Sequence, residues 1–260
     1  MAWRSSGSSN AELVENLRKN GVFSNQRAYD AMKAVDRGDF TSRDPYEDAP
    51  QRIGYNATIS APHMHAAALE YLQNHLVAGA NALDVGSGSG YLTVCMAMMV
   101  GQTGTVVGIE HMSELVELST KNIKKHHSEM IENGNVVMID GDGRQGYAEK
   151  APYNAIHVGA AAAGVPKALT DQLADGGRMM IPVEQEDGNQ VFMQIDKING
   201  KIHEKIVEHV IYVPLNPLCI LYILYIILLS VRYSSSSWNR LLLYRQVSLI
   251  REESRVFEKT

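Results

Sequence analysis

The stretch Leu83-Asp84-Val85-Gly86-Ser87-Gly88-Ser89-Gly90-Tyr91 lies where a short apolar run gives way to a helical pattern. Glycines at such a turn let the backbone approach a ligand closely, and the helix behind them offers unpaired N–H groups at its start. The dinucleotide fingerprint G-x-G-x-x-G would require glycine at position 91, and that position is Tyr. Glycines fall instead at 86, 88 and 90, with Asp84 just before them inside the strand end. A carboxylate there repels a pyrophosphate but attracts an ammonium group, directly or through water. A ligand with a cationic amino-acid end therefore fits better than a nicotinamide dinucleotide.

Downstream, short apolar runs alternate with helical segments. Strands are predicted at residues 82–85, 105–109, 136–139, 155–158 and 179–183, with helices near 90–100, 113–127 and 165–174. This alternation predicts an α/β fold with a doubly wound, mostly parallel sheet. Residues 190–198 and 201–213 flank Asn199-Gly200 and read as a hairpin, which adds antiparallel strands at the sheet edge. The second strand ends in Glu110, about twenty residues past the glycine loop, where an acid can accept hydrogen bonds from both hydroxyls of a ribose. The third is followed by Gly141-Asp142-Gly143, whose carboxylate could meet the amino group of an adenine. Any one of these acids alone is as well explained as a solvated loop carboxylate. Three at successive strand ends line one crevice and favour nucleoside binding.

Upstream, Ser9 and Glu12 have capping-box spacing, and Leu13, Val14 and Leu17 follow as an apolar stripe up to Gly21. A second amphipathic helix is predicted near 25–36, with Ala28, Met32 and Val35 on one face. Residues 37–60 are polar and rich in turn formers, and read as a long loop without structure of its own. Such loops are usually functional. Pro62 suits a first helical turn, and a helix is predicted over 63–76. Ser60 then stands just outside a helix N-terminus. We expect residues 1–78 to form a helical and substrate-loop region continuous with a core over 79–215, and 216–260 to form a separate tail.

Composition bounds the partners. Twenty-four Lys and Arg against 29 Asp and Glu leave a net charge of −5, which argues against nucleic acid as a partner. Two distant cysteines, Cys95 and Cys219, exclude a disulfide framework and favour a reducing compartment. The opening residues lack the apolar run of a secretory signal, so a cytoplasmic location is expected. Residues 218–231 are uncharged and mostly apolar. As a helix they would reach only about 21 Å, short of the ~30 Å hydrocarbon core, so membrane contact by this tail is disfavoured. His63 and His65 have no cysteine or carboxylate pair beside them in sequence, and no metal site is expected.

Several segments together resemble one family. Ala57-Thr58-Ile59-Ser60-Ala61-Pro62-His63-Met64-His65, the glycine loop, Gly141-Asp142-Gly143, Ala155-Ile156-His157-Val158-Gly159-Ala160-Ala161-Ala162 and Ile211-Tyr212-Val213-Pro214-Leu215 are similar to the protein-L-isoaspartate (D-aspartate) O-methyltransferases. The glycine loop alone would indicate only the wider S-adenosylmethionine-dependent class; the first and fourth segments are more specific. The resemblance covers Met1 to Leu215. It implies S-adenosyl-L-methionine as methyl donor, released as S-adenosyl-L-homocysteine, and isoaspartyl-containing proteins and peptides as substrates of a monomer. It further implies that Ser60 is the catalytic residue. Ala57, Thr58, Ile59, Ser60, His65, Asp84, Gly86, Gly88, Glu110, Asp142 and Gly143 would contact the cofactor, and residues 160–163 would line the peptide site. The family continues from Val-Pro-Leu with a Thr at the cofactor site, whereas Asn216 and Pro217 stand here.

The residues themselves leave two roles open for Ser60, capping of the following helix or donation to a substrate carboxylate. Two other functions also remain open: methylation of a small molecule on the same cofactor half, and an inactive scaffold with an altered tail.

Overall fold

The computed structural model describes residues 5–213 and 215. Asn216, Pro217 and the apolar stretch 218–231, on which the tail expectations rest, lie outside the described residues.

Ser9 caps α1 (Asn10–Lys19) by accepting the Glu12 N–H at 3.3 Å. The reciprocal arm of the box lands one residue early, because the Glu12 carboxylate accepts from the backbone and hydroxyl of Ser8. Leu13, Val14 and Leu17 are buried as the stripe predicts. Asn25 caps α2 (Gln26–Ala34), and Asn10 of α1 ties the two helices by donating to the Met32 carbonyl at 2.9 Å.

The long loop 37–60 departs from expectation. It contains a 3₁₀ turn at Arg37–Asp39 and a small antiparallel hairpin of β1 (Gln51–Gly54) and β2 (Ala57–Ile59). Tyr55 and Asn56 at its tip both have positive φ, 50° and 57°, as a two-residue hairpin turn requires. Helix α3 (Pro62–Leu72) opens on Pro62, as read, but stops four residues before the predicted end.

The main sheet has seven strands: β3 (Asn81–Val85), β4 (Thr105–Glu110), β5 (Val136–Asp140), β6 (Tyr153–Val158), β7 (Leu173–Glu184), β8 (Gln190–Ile198) and β9 (Lys201–Val210). Their spatial order is β5-β4-β3-β6-β7-β8-β9. The pairs from β5 through β7 are parallel, and β8 and β9 add antiparallel at one edge. Lys201, Glu204, Lys205 and Glu208 place charge along that edge strand, which discourages pairing with another chain. Since side chains alternate along a strand, Ala82 of β3 enters one core with α1 to α4, while Leu83 and Val85 enter the other with Leu169 and Ile181.

Helix α4 (Tyr91–Val100) follows β3, is apolar nearly all round, and is buried except at Met98, as a helix without a polar face must be. The predicted helix over 113–127 ends four residues early as α5 (Ser113–Ile123), and a further short helix that was not predicted, α6 (Ser128–Glu132), follows it. Helix α7 (Lys167–Gln172) is shorter than predicted because β7 begins at Leu173, six residues ahead of the expected strand. Beyond β9 the chain turns back: Ala161 N–H donates to the Val213 carbonyl at 2.7 Å, and Leu215 N–H to the Ala161 carbonyl at 2.6 Å. The 160–163 run is accordingly not helical; Ala162 forms a bridge to Val183.

Candidate active site

Strand order reverses at β3, with β4 on one side and β6 on the other. In open α/β sheets ligands bind outside the carboxyl ends of the strands at such a switch point. Gly86, Gly88 and Gly90 turn the chain there with φ of 73°, 51° and 84°, conformations open to glycine and costly for other residues. At Gly90 a Cβ would also press on Ser119 and Ile123 at 3.1 and 3.2 Å.

Glu110 ends β4 with only 5 % of its surface exposed. One carboxylate oxygen accepts from the backbone N–H groups of His111 (2.8 Å) and Met112 (3.3 Å) and from His111 Nδ1 (2.7 Å). The other accepts from Gly88 N–H at 3.2 Å, so this acid touches the glycine loop directly. Asp142 follows β5 and caps a short 3₁₀ turn, its carboxyl held below the usual range chiefly by its hydrogen bonds from Arg144. Gly143 is needed for packing: a Cβ would lie 2.5 Å from Val85 Cγ1.

Asp84 is more enclosed than the sequence suggests. It is 1 % exposed; one oxygen accepts from Thr93 Oγ1 at 2.6 Å and the other pairs with His157 Nδ1 at 2.8 Å. The acceptor is a carboxylate, so Nδ1 of His157 carries the proton. A ligand amine would meet Asp84 only through its remaining lone pairs or its field, not as a free carboxylate at the crevice wall.

The segment 57–65 approaches the glycine loop and the start of α4 through its paired strand and through His65. Ala57, Thr58 and Ile59 form β2, and Ile53 on the paired strand comes within 3.4 Å of where a Gly88 Cβ would stand. Ser60 follows, half-buried. The capping role is overturned, since the N-cap of α3 is Ala61, which has no side-chain cap bond. Among the described residues the Ser60 hydroxyl makes no hydrogen bond; its carbonyl accepts from Arg37 Nη2 at 2.7 Å. His65, on the first turns of α3, is 6 % exposed and packs on Tyr91 with ring centroids 5.1 Å apart. Burial and the neighbouring Arg37 charge hold its pKa well below the ordinary histidine value, so the ring is neutral. His63 points elsewhere, onto Asp48 at 2.8 Å.

The structure thus places Asp84, Gly86, Gly88, Glu110, Asp142 and Gly143 at the carboxyl ends of β3, β4 and β5, and brings the β1–β2 hairpin to the glycine loop through Ile53 and His65 to Tyr91. Four further residues were missed: Arg37, Tyr91, Thr93 and His157. Thr93 lies nine positions after Asp84, and His157 stands beside it in the parallel register. Strand pairing was the signal that would have found His157.

A mostly parallel sheet with this glycine turn, an acid at the end of the next strand and no third fingerprint glycine defines the S-adenosylmethionine-dependent methyltransferase class. The match narrows to one family within it. The family model described as protein-L-isoaspartate(D-aspartate) O-methyltransferase matches residues 8–218. A Caenorhabditis elegans protein-L-isoaspartate O-methyltransferase is 84 % identical over 215 residues, covering 83 % of this chain and 96 % of its own length. Protein-L-isoaspartate O-methyltransferase 1 of Arabidopsis thaliana is 50 % identical over 217 residues, covering 81 % and 93 %. A Plasmodium falciparum protein-L-isoaspartate O-methyltransferase, crystallised with S-adenosyl-L-homocysteine, superposes with a TM-score of 0.77 at 39 % identity, covering 82 % of this chain and all of its own. The chain belongs to the protein-L-isoaspartate (D-aspartate) O-methyltransferase family.

Proposed function

We propose that Ser60 is the catalytic residue of this enzyme and that the crevice around Glu110 holds its cofactor. The enzyme transfers a methyl group from S-adenosyl-L-methionine to the free carboxylate of L-isoaspartyl and D-aspartyl residues in damaged proteins and peptides, which initiates their repair. When bound, the cofactor supplies an electrophilic methyl group on a positively charged sulfur and leaves as S-adenosyl-L-homocysteine.

The residues present suit that ligand. Glu110 offers acceptors for ribose hydroxyls, Asp84 and its field an anionic environment for the amino-acid end, and Asp142 with Gly143 an edge for adenine. Gly86 and Gly88 let the backbone come close, while Ala57, Thr58, Ile59 and His65 form the opposite wall.

The observation that carries the role of Ser60 is that this half-buried residue's hydroxyl makes no hydrogen bond among the described residues and stands on a segment anchored to the start of α4. An α-carboxylate has a pKa of about 3.5 and is ionised at neutral pH, so it attacks without a general base. What the protein must supply is orientation, worth roughly 7–11 kcal/mol when the reacting atoms are held in near-attack geometry. The Ser60 hydroxyl donates to one carboxylate oxygen and leaves the other free to attack.

The wider setting we assign is a cytoplasmic monomer that acts on proteins and not on nucleic acid. The net charge of −5 supports this, as does a buried free thiol at Cys95. No helix among the described residues is long and apolar enough to cross a membrane.

The test is methyl transfer to paired isoaspartyl and aspartyl peptides, with Ser60→Ala alongside. We expect transfer to the isoaspartyl peptide alone, and a fall in kcat of tenfold or more in the variant with its melting temperature unchanged. Equal methylation of both peptides, or a variant as fast as the parent, would refute the assignment.

A further inference from the structure

We propose that Arg37 is a positioning residue for methyl transfer: it fixes the backbone that carries the Ser60 hydroxyl and acts on the reaction only through Ser60. The proposal rests on the assignment of Ser60 made above.

Arg37 is fully buried, a costly place for a guanidinium. Burial brings its pKa down to about 10, which leaves it charged at neutral pH. The opposite charge that acts on it is the buried carboxylate of Asp48, through its field, while its side-chain hydrogen bonds among the described residues go to neutral acceptors. Its donors are divided between the Ser60 carbonyl at 2.7 Å and His65 Nδ1 at 3.2 Å. Its guanidinium carbon lies over the Tyr91 ring, 5.4 Å from the centroid. One side chain therefore joins the end of β2, the first turns of α3 and the first residue of α4. Arginine has donors only, so it also fixes the His65 tautomer with the proton on Nε2.

The link to chemistry lies in the Ser60 peptide. A peptide unit is planar, so holding the carbonyl oxygen sets the torsion after Ser60 and with it the direction of the Cα–Cβ bond. The Ser60 hydroxyl has no hydrogen bond of its own among the described residues, so the backbone sets the cone of positions open to it and only its χ1 rotamer remains to be chosen. A cation placed directly on the substrate carboxylate would stabilise the anionic ground state more than a transition state in which the charge is being lost, and would raise the barrier. Behind the Ser60 carbonyl, Arg37 supplies order without that penalty.

The experiment compares the full chain with Arg37→Lys, Ser60→Ala and the double variant, reading kcat, KM for an isoaspartyl peptide, S-adenosyl-L-homocysteine affinity and melting temperature. Lysine keeps the charge but cannot divide it over the two acceptors and the ring. We expect Arg37→Lys to lower kcat at least tenfold, with cofactor affinity within twofold of the parent. In the Ser60→Ala background the same change should lower kcat less than twofold, since neighbouring groups acting as a unit are not additive. An unchanged kcat, or the same fold-loss in both backgrounds, overturns the proposal while leaving Ser60 in place. A Ser60→Ala enzyme as fast as the parent instead removes the assignment on which the proposal stands. Arg37→Met answers the same question if the lysine variant does not fold, and failure of both to fold would make Arg37 a structural residue and refute its positioning role.

Discussion

Glu110 is the residue on which the cofactor assignment can be tested most directly, and Glu110→Gln is the change to make. The two carboxylate oxygens are unequal. One already accepts from His111 N–H, Met112 N–H and His111 Nδ1, while the other has a single bond of 3.2 Å from Gly88. The second is therefore the oxygen with room for ribose hydroxyls. Glutamine keeps the shape and one acceptor, but it removes the charge and turns either a backbone N–H or Gly88 toward another donor. Hydrogen bonds to a charged acceptor contribute about 1.5–3 kcal/mol, against about 0.5–1.5 kcal/mol for neutral ones. Loss of the charged bonds should raise the S-adenosyl-L-homocysteine Kd about ten- to a hundredfold. Alanine is the poorer probe, because it also leaves three backbone N–H groups without an acceptor. Titration calorimetry on the folded variant measures the effect, with kcat at saturating cofactor close to the parent's. Wild-type affinity in a folded Glu110→Gln enzyme would show that this strand end does not hold the ribose.

Two further outcomes follow from the packing and the buried histidine. Gly143→Ala forces a methyl group against Val85 Cγ1 at 2.5 Å; overpacking of this kind costs about 1–3 kcal/mol, so thermal denaturation should show a lower melting temperature, and an unchanged one would mean that the 141–143 turn yields freely. His65 has its folded pKa depressed, so below its ordinary value of 6.5 the unfolded chain takes up a proton that the folded one refuses. Stability should be fully present above pH 6.5 and fall on acidification, by up to about 1.4 kcal/mol per pH unit for this group. Denaturant titrations between pH 7 and 5 on the parent and His65→Asn should show a shallower slope in the variant, and identical slopes would refute a buried neutral His65.

Much of the fold was legible because the strands obey simple rules. Residues 82–85 and 105–109 are apolar runs bounded by turn formers, and both recur as strands within a residue. The failures came where tertiary contacts override local pattern. Leu173 to Arg178 contains Asp175, Gly176 and Gly177, a turn-like composition, yet β7 starts there because it pairs with β6, with a register irregularity between Tyr153 and Ala155. The β1–β2 hairpin was hidden in a polar loop, although Gly54-Tyr55-Asn56 between two short extended runs is its turn signal.

The site divides along the same line. Glu110, Asp142, Gly86 and Gly88 were readable because they stand at strand ends, and those positions follow from topology. Arg37 was unreadable because nothing local marks it: it opens a polar segment, and the Ser60 carbonyl, His65 and Tyr91 that its guanidinium meets lie 23, 28 and 54 residues away in sequence. Tyr91 shows the limit most clearly. In the sequence it served only to exclude the dinucleotide fingerprint, by standing where a glycine should be. In the structure that substitution has a physical purpose, since a glycine could give neither the ring face beneath Arg37 nor the edge that meets Phe40 at 5.5 Å. The aromatic ring at the end of the glycine loop lies beneath Arg37 and against His65, so the residue that rules out the dinucleotide fingerprint also supports the segment that carries Ser60.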